Sequence, residues 1–547
     1  MMKKILEILK KCCEKIHQND KSEYEIRRQL FNILSKNNPN NIKEYDISIL
    51  NNEEIKDKQD FRQKDELFPV NEKWYLVCGK DDRIIDISLP CDKIKSIPCN
   101  VIFNNCNIDL YIDEPKGTKK DNAETIKNHL RFYNCTFEKS LNLKNIIFEK
   151  TLTFNQCAFY NDLKIYQNQF LDHLVFINCS NEQNDKKIIS LDLQENEFKG
   201  YLFIKNYIIE KINLWKNKFK SMCCCVDSKF GYKDKDNQVK LNFSNTHFED
   251  EVYFNNSEFY NYADFHECTF DNIACFYGVK FYKAPNFSQV VLKGNLNALN
   301  ITSNFVFDDL EKQIDQEYED FNKDKKEQDK KPLYKFSNDF RDSFRTFKNT
   351  LIKDNNLLDA SNFHKYELYC KEIELKFKKP KIFSREWIDK WQLFFYRKLC
   401  DHHTDFLLNL RWLVVVVGFF VSVLFVLRYG DGNLLQFFNK DNDLLKMLKD
   451  MLNIKVLNDS NVTYLILLYS FIGLFFVRTF FIFYYLVIFI LMLTISPYNL
   501  FSVVNFVAKG KLNSFLENII MVAYALIMIL VLFSLQKTAR KNSIVPS

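Results

Sequence analysis

The chain is short of the residues that loosen a backbone. Its 547 residues include 11 Gly and 10 Pro, too few for long flexible linkers, collagen-like repeats or extended disorder. It also lacks a strong charge of either sign: 76 Lys and Arg face 70 Asp and Glu, a formal net charge of +6. That is well short of the basic footprint of a nucleic-acid binder, and no nucleic-acid partner is expected. No secretory signal is visible, because Glu7, Lys10 and Lys11 interrupt the apolar residues of MMKKILEILKKCCEK. Ile5, Leu6, Ile8, Leu9, Cys12 and Cys13 recur there at helical spacing. The expectation is that residues up to about 400 stay in the cytoplasm, with the 16 cysteines reduced. Missing too are a Gly-rich phosphate loop, an HExxH and a paired CxxC. His266–Cys268 and Cys223–Cys225 come nearest to a metal cluster, but neither has a second half at ligand spacing. We expect no enzyme, no catalytic residue, no cofactor and no metal.

What is present is a repeat. Phe243, Phe248, Phe254, Phe259, Phe265, Phe270, Phe276, Phe281 and Phe287 alternate gaps of 5 and 6. The same beat runs through Phe137, Leu143, Phe148, Phe154, Phe159, Ile165, Phe170 and Phe176. It resumes at Leu193, Phe198, Ile204, Ile209, Leu214 and Phe219, where the gaps run 5, 6, 5, 5 and 5. Neither a helix nor a flat strand holds such a beat. Two residues before each member sits a smaller or apolar one, such as Cys135, Leu141, Cys157, Leu163, Ser257 or Cys268. A spacing of two in extended chain puts both side chains on one face, so each unit sends a large and a smaller group inward and then turns a corner. Cys135, Cys157, Asn168, Thr246, Ser257 and Cys268 mark the narrower faces, where cysteine serves as a small core filler.

This ladder resembles the pentapeptide-repeat proteins, whose central Leu or Phe follows a small residue by two positions. The resemblance implies a right-handed, quadrilateral parallel β-helix acting as a binding scaffold. It covers about 100–305, with loops near 113–129, 180–188 and 226–238. At about 22 residues per coil and roughly 4.8 Å per coil, the solenoid is expected to be roughly 40 Å long.

After Phe305 the run from Asp308 is nearly all charge and reads as a solvated helix or linker. A helical hairpin follows, which resembles half of a tetratricopeptide-type array and reads best as a cap on the solenoid. Its first helix carries Phe336, Phe340, Phe344, Phe347 and Leu351, its turn is Lys353–Asn356, and its second helix carries Leu358, Phe363, Tyr366 and Cys370. Arg385–Trp412 mixes Trp, Phe and basic residues, as an interfacial juxtamembrane helix does. Cys400, His402 and His403 lie within it without a fourth metal partner.

The last part is apolar. Trp412–Leu427 is an uncharged span flanked by Arg411 and Arg428. Val462 to Pro497 is too long for one straight span and carries Arg478, whose burial at the bilayer centre would cost roughly 2.5–3.5 kcal/mol. A turn at Arg478 gives spans at about 461–477 and 479–496, and the last lies at about 515–535. Basic residues before the first span and after the last put both ends in the cytoplasm. Four spans satisfy that; one kinked helix in place of the middle two would give three.

The stretch after the third span has the layout of a two-helix potassium-channel pore domain, which it faintly resembles. The filter positions would be Asn505, Lys509, Gly510, Lys511 and Asn513. The Thr, Tyr, second Gly and Asp of that family are replaced, and a Lys pair repels cations, so a plain hairpin is the preferred reading.

The expected organisation has five parts. They are an N-terminal helical segment (1–65), a pentapeptide-repeat-like β-helix (66–305, clearest over 100–292), a charged linker with helical hairpin (306–383), a juxtamembrane amphipathic helix (384–411) and a transmembrane domain (412–547). The expected protein is non-enzymatic, multi-pass and in a bacterial inner membrane. Its cytoplasmic solenoid would be a scaffold for another protein, its membrane part would contact lipid, and self-association is left open. The alternative is a channel or transporter whose degenerate pore loop at 505–514 the solenoid regulates.

Overall fold

A computed structural model describes residues 22–34, 45–50, 72–80, 83–111, 124–178, 188–232, 240–429 and 515–539. The chain divides into two compact units, Met1–Asn356 and Leu357–Ser547.

The first unit is a parallel β-solenoid of about nine turns. Each coil lays strands in four positions. One coil runs Leu130–Tyr133, Thr136–Phe137, Leu141–Lys144 and Ile146–Phe148. The next stacks on it in register: Leu152 on Leu130, Ala158 on Thr136, Leu163 on Leu141 and Gln169 on Ile147. The five-six beat has a backbone cause. In each five-residue corner one residue turns left-handed, as at Asn134, Asn145, Gln156, Gln167, Asn245, Asn256, Glu267 and Gln289. A side chain in that region costs about 1–2 kcal/mol, which the stacked coils must repay. The six-residue corner between the second and third positions shortens to five twice, from Ile188 to Leu193 and from Ile209 to Leu214. There single strands, Ile188–Gln194 and Ile208–Asn213, run through the corner.

The ladder residues are the core. Phe148, Phe170, Phe198, Phe219, Phe248 and Phe270 stack with ring centroids 4.9, 4.9, 4.6, 5.1 and 5.0 Å apart. Each such pair contributes about 0.5–1.5 kcal/mol beyond its buried area. The small corner residues do more than fill space. Cys135, Cys157 and Cys268 direct their thiols at the carbonyls of Phe103, Phe132 and Phe243, one coil below. Asn168, Asn196 and Asn217 form a buried amide ladder: the backbone N–H of Asn168 donates to Asn196 Oδ1 (2.9 Å), and that of Asn196 to Asn217 Oδ1 (2.9 Å). Burial pushes the Cys268 thiol up, so it stays protonated and unreactive. One stripe breaks the inward–outward alternation. Trp74, Leu76, Ile102, Val175 and Ile177 form a second buried apolar cluster, and Arg131 is buried too, its guanidinium 5.6 Å over the Tyr133 ring.

Further elements are added at both solenoid ends. At the start, strand β1 (Tyr45–Leu50) pairs antiparallel with β2 (Trp74–Gly79), an element the helical expectation for 1–65 missed; helix α1 (22–34) buries Leu30 and Leu34. Strands occupy Glu124–Ile126 and Lys229–Phe230, within two of the stretches expected as loops. A short helical turn, α2 (Cys91–Ile94), interrupts an early coil. At the far end lie α3 (Phe307–Asn322) and α4 (Leu333–Lys353). The charged run is more than a solvated linker. Phe307, Leu310 and Ile314 give α3 a buried stripe, and Gln313 pairs with both backbone groups of Ala284 at 3.0 and 2.8 Å. The α4 stripe Phe336, Phe340, Phe344, Phe347 and Leu351 is buried. Phe347 packs edge-on against Phe287 at 4.6 Å, and Ser343 Oγ accepts from the Phe287 N–H (2.7 Å). This helix caps the core.

The second unit holds α5 (Leu357–Lys378), α6 (Arg385–Cys400), α7 (Phe406–Tyr429) and α8 (Phe515–Ala539). The unit boundary falls at the Lys353–Asn356 turn. The two helices expected as one hairpin connector are thus divided between the units. In α5, Phe363, Tyr366 and Cys370 are buried, whereas Leu358 is 55% exposed.

About four spans were expected. Among the described residues one helix, Asn518–Ala539, is long and apolar enough to cross a membrane. The expected span 412–427 lies in α7, whose apolar stretch among those residues is Phe406–Phe420. Its first turns carry Asn409 and Arg411, and Asn409 is committed to a buried hydrogen bond with Ser534 Oγ (2.9 Å). The expected spans 461–477 and 479–496 lie outside the described residues.

Candidate functional site

The sequence-derived site residues are scattered with respect to the structure. Asn505, Lys509, Gly510, Lys511, Asn513 and Arg478 lie outside the described residues. Arg411 sits in the first turns of α7 and Arg428 in its last turn. His266 contacts Ser288 Oγ through Nδ1 at 2.8 Å, and Cys223 and Cys225 point into the solenoid core. Among the described residues no group of three or more His, Cys, Asp and Glu is placed to hold a metal ion.

The solenoid surface is mixed in charge. In the fourth position of successive coils Glu197, Lys218, His247 and Thr269 lie side by side. Lys218 bridges Glu249 at 2.9 Å, and Lys293 bridges Asp271 at 2.9 Å. One strip is aromatic. Tyr260 and Tyr282 stack at 4.4 Å, both hydroxyls donate to Glu258 Oε2 (2.7 and 2.9 Å), and Tyr282 is 52% exposed.

The strongest departure from ordinary backbone lies in the second unit. Asp401, His402 and His403, between α6 and α7, are all left-handed, with φ of 49°, 53° and 70°. Three such residues in a row cost about 1–2 kcal/mol each, and such strain gathers at functional sites. The turn begins as a helix C-cap: the Asp401 and His402 N–H groups donate to Arg397 O (3.0 Å) and Tyr396 O (3.2 Å). Asp401 accepts from Tyr369 Oη and pairs with Lys365 at 3.3 Å. Next to it Arg397 grips Glu372 through two bonds, 2.8 and 2.9 Å, the strong geometry of a guanidinium–carboxylate pair. These contacts hold the turn in place.

The two histidines face different partners. His403 Nδ1 lies 3.4 Å from both Ser534 Oγ and Thr538 Oγ1 of α8. His402 is 2% exposed, and its Nε2 has no hydrogen-bond partner among the described residues. Burial pushes both imidazoles down, His402 to about 3 and His403 to about 4; both are neutral near pH 7. They line a cavity of about 390 Å³ together with Lys371 and Leu368 of α5, Leu393 of α6 and Lys537 of α8. Sequence reasoning noticed His402 and His403 only as metal candidates. The cavity escaped it, because its walls come from residues far apart in the chain.

The class these observations define is a β-solenoid followed by C-terminal helices, one of them apolar enough to cross a membrane. No protein-family model, curated protein or solved structure matches the chain.

Proposed function

We propose that the solenoid is a right-handed, quadrilateral β-helix of the pentapeptide-repeat kind. It is held at the cytoplasmic face of a bacterial inner membrane by about four spans, and serves as a non-enzymatic scaffold for another protein. The observation that carries this reading is the Tyr260–Tyr282 strip on Glu258, set on a rigid stack whose interior is filled by Phe. Tyrosine is enriched in protein interfaces because its ring gives area and its hydroxyl a hydrogen bond. The interleaved Lys and Glu of the neighbouring surface suit a protein partner better than a nucleic acid. The test is site-specific photocrosslinking at Tyr282 in native membranes, against a control site at Lys220. A scaffold gives one discrete adduct from Tyr282, lost in Tyr260→Ser. Equal, diffuse labelling from both sites overturns the reading. So does ion flux in liposomes that depends on Lys509 and Lys511, which belongs to a channel.

A further inference from the structure

We infer that the cavity beside the histidine turn binds the head group of an anionic phospholipid. Lys371 and Lys537 supply the positive charge, and the strained turn supplies part of the wall through His402 and His403. The inference rests on α8 lying in a bilayer, part of the reading above.

Three features meet at this cavity. The first is the strained turn itself, left-handed over three residues, which sets His402 and His403 in the cavity wall. The second is charge. Lys371, whose Nζ lies 3.1 Å from Glu374, and Lys537, in the last turn of α8, stand on two sides of the space. Two lysines and one carboxylate, Asp389, are among its lining groups. Among the described residues no ligand set suits a metal.

The third feature sets the kind of anion. Phe533 lines the cavity and also ends a row on α8, Val522, Leu526, Ile529 and Phe533, each 60–63% exposed. That row recurs at helical spacing along the candidate span, so one apolar track leads from the span into the cavity. A soluble anion has no use for the track; an acyl chain does. Lys537 at the end of the span also stands where a head group lies, and basic pockets between helices at that depth take anionic lipid heads. Leu368 and Leu393 complete an amphiphilic lining.

The test uses the full chain in neutral detergent. It is titrated with fluorescent phosphatidylglycerol, then with the matching phosphatidylcholine, and finally with inorganic phosphate as competitor. The expected result is a preference of about tenfold or more for phosphatidylglycerol, largely lost in the Lys371→Gln/Lys537→Gln double variant. Lys390→Gln, outside the cavity lining, leaves binding unchanged. Equal affinity for the two lipids overturns the inference, as does a preference that survives the double variant. Competition by millimolar phosphate as strong as by lipid assigns the cavity to a soluble anion and also overturns it. Alkaline extraction of membranes tests the bilayer reading separately: release of the chain would refute that reading whatever the titration gives. Far-ultraviolet dichroism of each variant separates lost binding from lost folding.

Discussion

Phe198 sits within a six-ring stack, fully buried between Phe170 and Phe219. Phe198→Ala removes a ring that its neighbours cannot replace and should destabilise the solenoid by about 3–5 kcal/mol. Phe198→Leu should cost clearly less, since it keeps most of the apolar volume; equilibrium denaturation of the two variants gives the comparison. The amide ladder makes a different demand. Asn196 donates to Ile165 O at 2.8 Å and accepts from the Asn168 N–H, so Asn196→Leu strands two buried groups at about 1–3 kcal/mol each. At the left-handed corners the issue is backbone. Lys216, with φ of 58°, should tolerate Gly within about 1 kcal/mol, whereas Val should cost about 1–2 kcal/mol. The identities at these corners (Asn, Gln, Glu, Lys and Asp, with Gly at Gly278) follow no rule strict enough to read beforehand. The ladder was legible because a repeating core needs one residue type at one interval; the corners were not, because the stack imposes their conformation from outside.

Among the elements, α3 has a seating that responds to pH. Glu317 faces Lys240 at 3.9 Å, and burial, aided by Asp264 and Asp320 and opposed by Lys240, raises its carboxyl from 4.5 to about 7. The folded state therefore holds this proton more tightly than the unfolded chain. The group's contribution to stability is greatest below pH 4.5 and falls as pH rises through about 7. Glu317→Gln should stabilise the protein at pH 8 by on the order of 1–3 kcal/mol and have little effect near pH 4.5, as read from melting curves at the two pH values. The expectation for this stretch was solvation, since charge dominates its composition. Phe307, Leu310 and Ile314 were enough to dock it, and the spacing of those three was visible in the sequence. What they would dock against was not. The same holds for α4, whose aromatic stripe announced a buried face and whose partner, the last coil at Phe287, came from the fold.

On the scale of the whole molecule, both edges of the solenoid are blunted, by β1 at one end and by α3 and α4 at the other. Open parallel edges invite aggregation; covered ones allow a piece to fold alone. A chain cut in the Asp354–Asn356 turn should yield an N-terminal fragment that is soluble, rich in β structure and cooperative in unfolding, with a midpoint close to that of the full chain. Aggregation of the fragment, or a broad multistep transition, would show that the units are not independent.

The sequence by itself determined the solenoid, its coil length and its Phe core, because each depends on intervals of five and six along one chain. It also marked α8 as apolar enough to span a membrane. Tertiary structure decided the rest. It set the unit boundary inside a turn that looked like the middle of a hairpin. It ran single strands through two five-residue corners, and it gathered Lys371, His402, His403 and Lys537 around one cavity. Periodic neighbours can be counted along the chain. A cavity wall assembled from three helices and a strained turn exists only once those elements have packed.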